Sequence, residues 1–403
     1  MTELTITQKQ NKLYTFLMII GIIAIAFNLR PAITSVGPLL GMIRLDLGLE
    51  HWSAGLLTSL PLLAFAAMSP IVPQLGNRFS NERMMVLGLI IIMAGISIRT
   101  IPYKTLLFGG TIFVGIGIAI CNVLLPSVVK DKFPKKIGLM TSVYSTTMGV
   151  FAATASGLSA PLATRLNFGW KWSLFVWVIP ALIAIVIWMI LIIKNEKEKS
   201  EQIRFIPTSD YKIWKSPLAW QIALFMGLQS SLFYVTVSWL PEILQHNGLA
   251  ITTAGWMLSY TQFIGLPVGF IIPVLADRMK RQYSLVLILG LLALFGFFGL
   301  LYAKSFSLIV ISTTFIGITI GGTFPLALTF LALRARTAQH ASQLSGMAQA
   351  IGYLVAALGP IFMGLLYDLT NDWTIPLIVL MVITCLVILF GLSSSRDQYV
   401  LDH

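Results

Sequence analysis

The sequence predicts an all-helical, polytopic membrane protein with twelve transmembrane helices arranged as two six-helix bundles. Composition, the spacing of apolar stretches and an internal repeat carry that expectation. Hydrophobic residues make up 57% of the 403 positions and charged residues only 10%, with a mean hydropathy of +0.87, whereas soluble domains carry about 25% charged residues. Twelve apolar stretches have the length, about 20 residues, needed to cross a hydrocarbon core. They lie near 12–41, 52–75, 83–101, 104–129, 137–164, 171–194, 216–244, 252–276, 282–303, 306–333, 341–367 and 372–393. Gly48-Leu49 recurs as Gly248-Leu249, Ala54-Gly55 as Ala254-Gly255, Pro73 as Pro273 and Asn77-Arg78 as Asp277-Arg278, all at one offset of 200 residues. A constant offset over thirty positions signals duplication of one half into the other.

Span one follows a polar start and lacks a small-residue cleavage site, so it is read as a retained span and not a signal peptide. It holds Arg30 as a single charge within Phe27-Asn28-Leu29-Arg30-Pro31-Ala32-Ile33-Thr34-Ser35. An ionised guanidinium at membrane depth costs several kcal/mol and usually faces a bundle interior or an aqueous path. Pro31 predicts a kink beside it. In later spans, Gly115-x-Gly117, Gly317 with Gly321-Gly322, Ala160-Pro161 and Gly359-Pro360 permit close helix approach and bending. The hydrophilic stretch 195–215 reads as a solvated linker on the cytoplasmic side, dividing an N-terminal bundle at 1–194 from a C-terminal bundle at 216–403.

Charge placement predicts orientation. With a cytoplasmic N-terminus, twenty of the 27 Lys and Arg residues fall on the inside and six (Arg44, Arg99, Lys104, Arg165, Lys171 and Lys304) on the outside, Arg30 being within the membrane. That bias satisfies the positive-inside rule and places both termini in the cytoplasm of a bacterial cell. The net charge of +12 is accounted for by this topology and by anionic headgroups, so nucleic acid is not an expected partner. Cys121 and Cys385 both sit in apolar spans and read as packing residues. The chain shows no His-rich metal cluster, no Gly-x-x-x-x-Gly-Lys-Ser/Thr loop and no soluble domain, so it is read as neither an enzyme nor a cofactor or metal protein. The expected partners are a small-molecule substrate and the bilayer, with the chain acting as a monomer.

Two six-span halves are the architecture of major facilitator transporters, whose site lies between the halves near the midplane. Pro273-Val274-Leu275-Ala276-Asp277-Arg278-Met279-Lys280-Arg281 resembles that family's loop signature, Gly-x-Leu-Ala-Asp-Arg-x-Gly-Arg-Lys. The first copy, from Pro73 to Arg83, is degenerate, with Asn77 in place of the acid. The resemblance implies a cytoplasmic gate at Asp277 and Arg278, with Arg78 a weaker counterpart. Within the superfamily the chain resembles the cyanate and 2-nitroimidazole transporter (CynX/NimT) group. The segments that carry this are Asn28 to Leu40, the run Gly115 to Pro126 and the following loop from Lys130 to Pro134.

The resemblance also implies that spans one, four, seven and ten line the cavity and that five, eight and eleven flank it. Candidate substrate contacts are then Arg30, Asn122, Tyr144, Gln229, Tyr234, Trp239, Gln262 and Tyr353. Arg30 offers a planar, permanently charged fork suited to a small planar anion or polarised heterocycle. Its structural alternatives are pairing with Glu242 or with helix-end carbonyls. Glu242 and His246 are the candidates for proton coupling, and Glu242 equally for an outer gate, with Trp239 placed to close the outer mouth. The expected activity is secondary active transport of a small anion or polar heterocycle by alternating access. A proton-coupled drug or xenobiotic exporter, working as an antiporter, is the alternative.

Overall fold

The computed structural model describes residues 2–401 except 70, 134–136, 167–168, 196–210, 304 and 337. Most of the linker expected at 195–215 thus lies outside the described residues. The first half comprises α1 (Thr2–Asn28), α2 (Pro31–Thr34), α3 (Leu40–Leu47), α4 (His51–Met68), α5 (Val72–Phe79), α6 (Asn81–Arg99), α7 (Lys104–Lys132), α8 (Ile137–Thr164), α9 (Gly169–Phe175) and α10 (Val178–Asn195). The second comprises α11 (Pro217–His246), α12 (Ile251–Arg278), α13 (Tyr283–Leu301), α14 (Phe306–Leu333), α15 (Ala338–Thr370) and α16 (Thr374–Ser394). Eleven segments among the described residues are long and apolar enough to cross a membrane. Helix α8, 28 residues long, is the twelfth predicted crossing.

The main departure from straight spans is in span one, which is broken twice. Pro31 has no amide hydrogen to offer the Phe27 carbonyl, and α1 stops at Asn28 and α2 restarts at Pro31, with Arg30 between them at φ −117° and ψ −42°. Gly37-Pro38 then forms a 3-10 turn before α3. Gly37 lies hard against the Val237 carbonyl of α11, leaving no room for a Cβ. Broken backbone inside a membrane must find partners in neighbouring groups. The Asn28 side chain donates to the Ala24 carbonyl at 2.7 Å and to the Pro180 carbonyl at 3.2 Å. Thr34 Oγ1 donates to the Ala152 carbonyl at 3.0 Å, and Ser156 Oγ donates back to the Thr34 carbonyl at 3.2 Å.

The halves meet along two seams. One runs between α8 and α12, where Ser259 Oγ donates to the Ala153 carbonyl at 2.7 Å and Gln262 Nε2 to Ser156 Oγ at 2.8 Å. The other joins α4 to α11 and α15, through Ser238 Oγ to Thr58 Oγ1 at 2.7 Å and the Phe65 and Tyr353 rings, edge to face at 5.4 Å. Glycines allow the backbones to approach there: Gly55 faces the Pro360 carbonyl and Gly364 the His51 carbonyl. These seams hold Arg30 between the halves.

Candidate functional site

The break before Pro31 turns Arg30 out of span one toward α11. Its Nη1 donates to the Tyr234 hydroxyl at 3.0 Å, and its guanidinium carbon lies 5.7 Å from the Phe233 ring centre. Tyr353 of α15 is within electrostatic range of the same charge. Among the described residues no carboxylate pairs with Arg30, which remains partly accessible. Glu242, offered by the sequence as its structural partner, is committed elsewhere. A guanidinium carries five donors, and the bond to Tyr234 occupies one of them.

The other predicted contacts divide. Gln229 is turned into its own half, donating to the Met226 carbonyl and Ser230 Oγ and accepting from Thr323 at 3.4 Å. Gln262 serves the seam described above. Trp239 is fully buried and donates to the Pro360 carbonyl at 2.9 Å, below the outer end of the seam. Asn122 is partly buried on α7 and makes no side-chain hydrogen bond among the described residues. Tyr144 packs against the core of the first half. Thus Arg30, Tyr234 and Tyr353 form one polar group between the halves.

A second intramembrane arginine went unseen in the sequence, where Arg99 reads as an outside charge. It ends α6 at 1% exposure. Because the Val36 amide turns to the Ile33 carbonyl at 3.2 Å, the Ala32 carbonyl is left for Arg99, whose Nη1 donates to it at 2.6 Å. Its Nε and Nη2 have no hydrogen-bond partner. The signal that could have found it is Gly37-Pro38, since the 3-10 turn there takes the Val36 amide off the Ala32 carbonyl and leaves an acceptor that a buried donor must meet.

At the end predicted to face outward, four ionisable side chains meet across the seam, two from each half. Glu242 Oε1 lies 3.8 Å from Arg44 Nε, and Oε2 lies 3.6 Å from His51 Nε2. The other His51 nitrogen, Nδ1, is 2.7 Å from Asp368 Oδ1. Asp368 also accepts the backbone amides of His51 at 3.0 Å and Trp52 at 2.8 Å, capping α4 from the opposite half. The sequence singled out only Glu242 of these four, because Arg44, His51 and Asp368 sit at span ends and read as loop charges. His246, the other proton-coupling candidate, is half exposed at the rim, 3.5 Å from Asp372. Hydrogen bonding from the Thr374 hydroxyl holds the Asp372 carboxyl below its ordinary range.

Of the predicted cytoplasmic gate, Arg78 is exposed and lies over the Phe79 ring at 5.3 Å. Arg278 is exposed at the end of α12, and the Asp277 side chain lies outside the described residues. No ion pair joins either arginine to another described residue.

Two helical halves with a charge between them and tight, glycine-lined seams define a membrane transporter. The Major Facilitator Superfamily model matches residues 16–360 and 233–398, and the chain belongs to that superfamily. It is 48% identical over 389 residues to an uncharacterized transporter, YycB, of Bacillus subtilis (strain 168), covering 96% of each chain. It is 39% identical to the 2-nitroimidazole transporter of Escherichia coli (strain K12), covering 95% of this chain and 96% of that one. Identity to the cyanate transport protein CynX of the same bacterium is 26%, over 88% and 91% of the two chains. Among solved structures, a bacterial homolog of the human lysosomal transporter Spinster, inward-facing and unoccupied, superposes with a TM-score of 0.74. It does so at 15% identity over 96% of this chain and 98% of that one.

Proposed function

We propose that this protein is a secondary active transporter that moves a small anion or a small polar heterocycle across the bacterial cytoplasmic membrane by alternating access, with both termini cytoplasmic. The observation that carries the reading is Arg30: a permanent charge between the halves, bonded to the Tyr234 hydroxyl and unpaired with any described carboxylate. A site that keeps its cation free of protein acids suits a substrate that brings its own negative or polarised group. Tyr234 and Tyr353 add hydroxyls and aromatic faces at the same place, which suits a flat guest. Asn122, Tyr144, Gln229, Trp239 and Gln262 supply the surrounding walls, and Asp277 with Arg278 and Arg78 the cytoplasmic gate. The names of two relatives, a 2-nitroimidazole transporter and a cyanate transport protein, support this substrate class. They favour it over the exporter alternative.

The test is flux of labelled cyanate and of labelled 2-nitroimidazole in proteoliposomes, beside thermal shift of the purified protein with each. A ligand that binds the folded state raises its apparent stability. At least one probe is expected to move and to stabilise, with both responses lost in Arg30→Lys, which keeps the charge and removes the fork. Full flux and affinity in Arg30→Lys would overturn planar recognition by Arg30.

A further inference from the structure

The four-residue cluster at the outer end of the seam has more acid than base. Arg44 supplies one fixed positive charge, Glu242 and Asp368 two carboxylates, and His51 a charge only when protonated. Its ring sits between the acids: Nδ1 is 2.7 Å from Asp368 and Nε2 is 3.6 Å from Glu242. A neutral imidazole carries one N–H. If that hydrogen is on Nδ1, toward Asp368, the Nε2 lone pair faces the Glu242 carboxylate. Arg44 offsets the Glu242 charge through space at 3.8 Å but makes no hydrogen bond to it, since its Nε and Glu242 Oε1 are both buried without a partner. One added proton, carried on His51 Nε2 or on Glu242 Oε2, removes the repulsion across their 3.6 Å separation and brings the cluster to neutrality.

The remaining groups around the ring do not supply that proton. From α15 the Tyr367 ring lies against His51 at 4.1 Å, and from α11 the Trp239 ring at 5.9 Å. Glu50, just before α4, is engaged by the Trp52 indole. Asp46 of α3 is held by Trp170 Nε1 at 2.9 Å and Lys171 at 3.7 Å. The rim pair of His246 and Asp372 is half exposed. The bases Arg44 and His51 belong to one half and the acids Glu242 and Asp368 to the other, so the cluster exists only while the outer seam is closed. Gly41 lets the Glu242 carboxylate seat there, since a Cβ at that position would stand 3.1 Å from Oε1.

We propose that His51 and Glu242 form a proton-binding site that latches the outer seam: closure takes up one proton from the outside, and opening returns it. This rests on the orientation and rocking cycle of the proposed function, but not on Arg30 or on the identity of the substrate. Acidification outside favours the outward-closed state, and alkaline conditions favour opening.

The test places spin labels through Leu45→Cys on α3 and Leu369→Cys on α15, both strongly exposed, in full-length reconstituted protein carrying Cys385→Ser. Cys121 is buried and is left in place. Distances are measured without substrate from about pH 5.5 to about pH 8.5, the range in which histidine ordinarily titrates. The ratio of long to short distances is expected to rise with pH, by up to about tenfold per unit for one linked proton. Glu242→Gln, which leaves one acid and one fixed base, is expected to hold the short distance at every pH. His246→Gln is expected to follow the parent. A parent ratio independent of pH, an unchanged pH response in Glu242→Gln, or its loss in His246→Gln would each overturn the latch while leaving rocking intact. A short distance in every variant at every pH would instead remove the rocking motion on which the latch rests.

Discussion

Arg30 and Arg99 are both arginines within membrane-spanning segments, both lack an acidic partner among the described residues, and each stands at one of the two breaks in span one. They differ in what surrounds them. Arg99 is sealed, at 1% exposure, and its one hydrogen bond goes to a backbone carbonyl released at the second break. Arg30 is partly accessible, and its one hydrogen bond goes to a side-chain hydroxyl of the opposite half. An unpaired intramembrane charge is therefore not by itself a binding site. Position decides: a charge between the two halves can meet a ligand, whereas one inside a half can only support its backbone.

The comparison breaks most sharply at Arg30. Arg30→Ala should lower flux of a transported anion by roughly 10- to 100-fold, the worth of a hydrogen bond to a charged group. It should leave the thermal midpoint in place or raise it, since an unpaired charge has been removed. A midpoint that collapses along with flux would make Arg30 structural after all. Arg99→Met should do the reverse. Its loss leaves the Ala32 carbonyl buried and unsatisfied, at a cost of about 1 to 3 kcal/mol; removing the sealed charge offsets part of that cost, and the midpoint should fall by the remainder while flux drops only as far as the bend relaxes. Lysine separates the two positions further. Arg99→Lys keeps a donor for one carbonyl and should restore the midpoint, whereas Arg30→Lys should not restore transport. Equal rescue at both positions would erase the distinction.

Sequence made the spans and Arg30 visible because both depend on local pattern: apolar length, a lone charge and the proline beside it. Tyr234 and Tyr353 were visible as polar aromatic residues in cavity-lining or flanking spans, although their meeting with Arg30 depends on contacts between residues more than 100 positions apart. Arg99 was hidden because it ends its helix, where a buried and an exposed arginine look alike in sequence. His51, Arg44 and Asp368 were hidden for the same reason. Each reads as a span-end charge until the halves are closed on each other. Gln229 marks the other limit: a polar residue in a lining span whose hydrogen bonds all fall within its own half, to Met226, Ser230 and Thr323. Periodicity tells which residues are within the membrane. It does not tell which of them lie on the seam.

The smallest effect should come from Tyr234→Phe. Its hydroxyl accepts one bond from Arg30 at 3.0 Å, and the ring remains to pack against Phe233 at 5.0 Å. Without the hydroxyl, the guanidinium keeps its charge but loses the contact that fixes its direction toward the opposite half. Affinity should therefore weaken by about 3- to 10-fold, the range of an ordinary hydrogen bond. The maximal rate should change little, because an orienting contact of this kind acts alike on bound substrate and on the moving state. Tyr353→Phe removes a hydroxyl that makes no hydrogen bond to Arg30 and should weaken affinity less. If Tyr353→Phe proves the more damaging, the substrate is held from α15 and the role given to α11 is wrong. If both variants leave affinity untouched while Arg30→Ala abolishes it, the arginine recognises its anion alone and the tyrosines are packing.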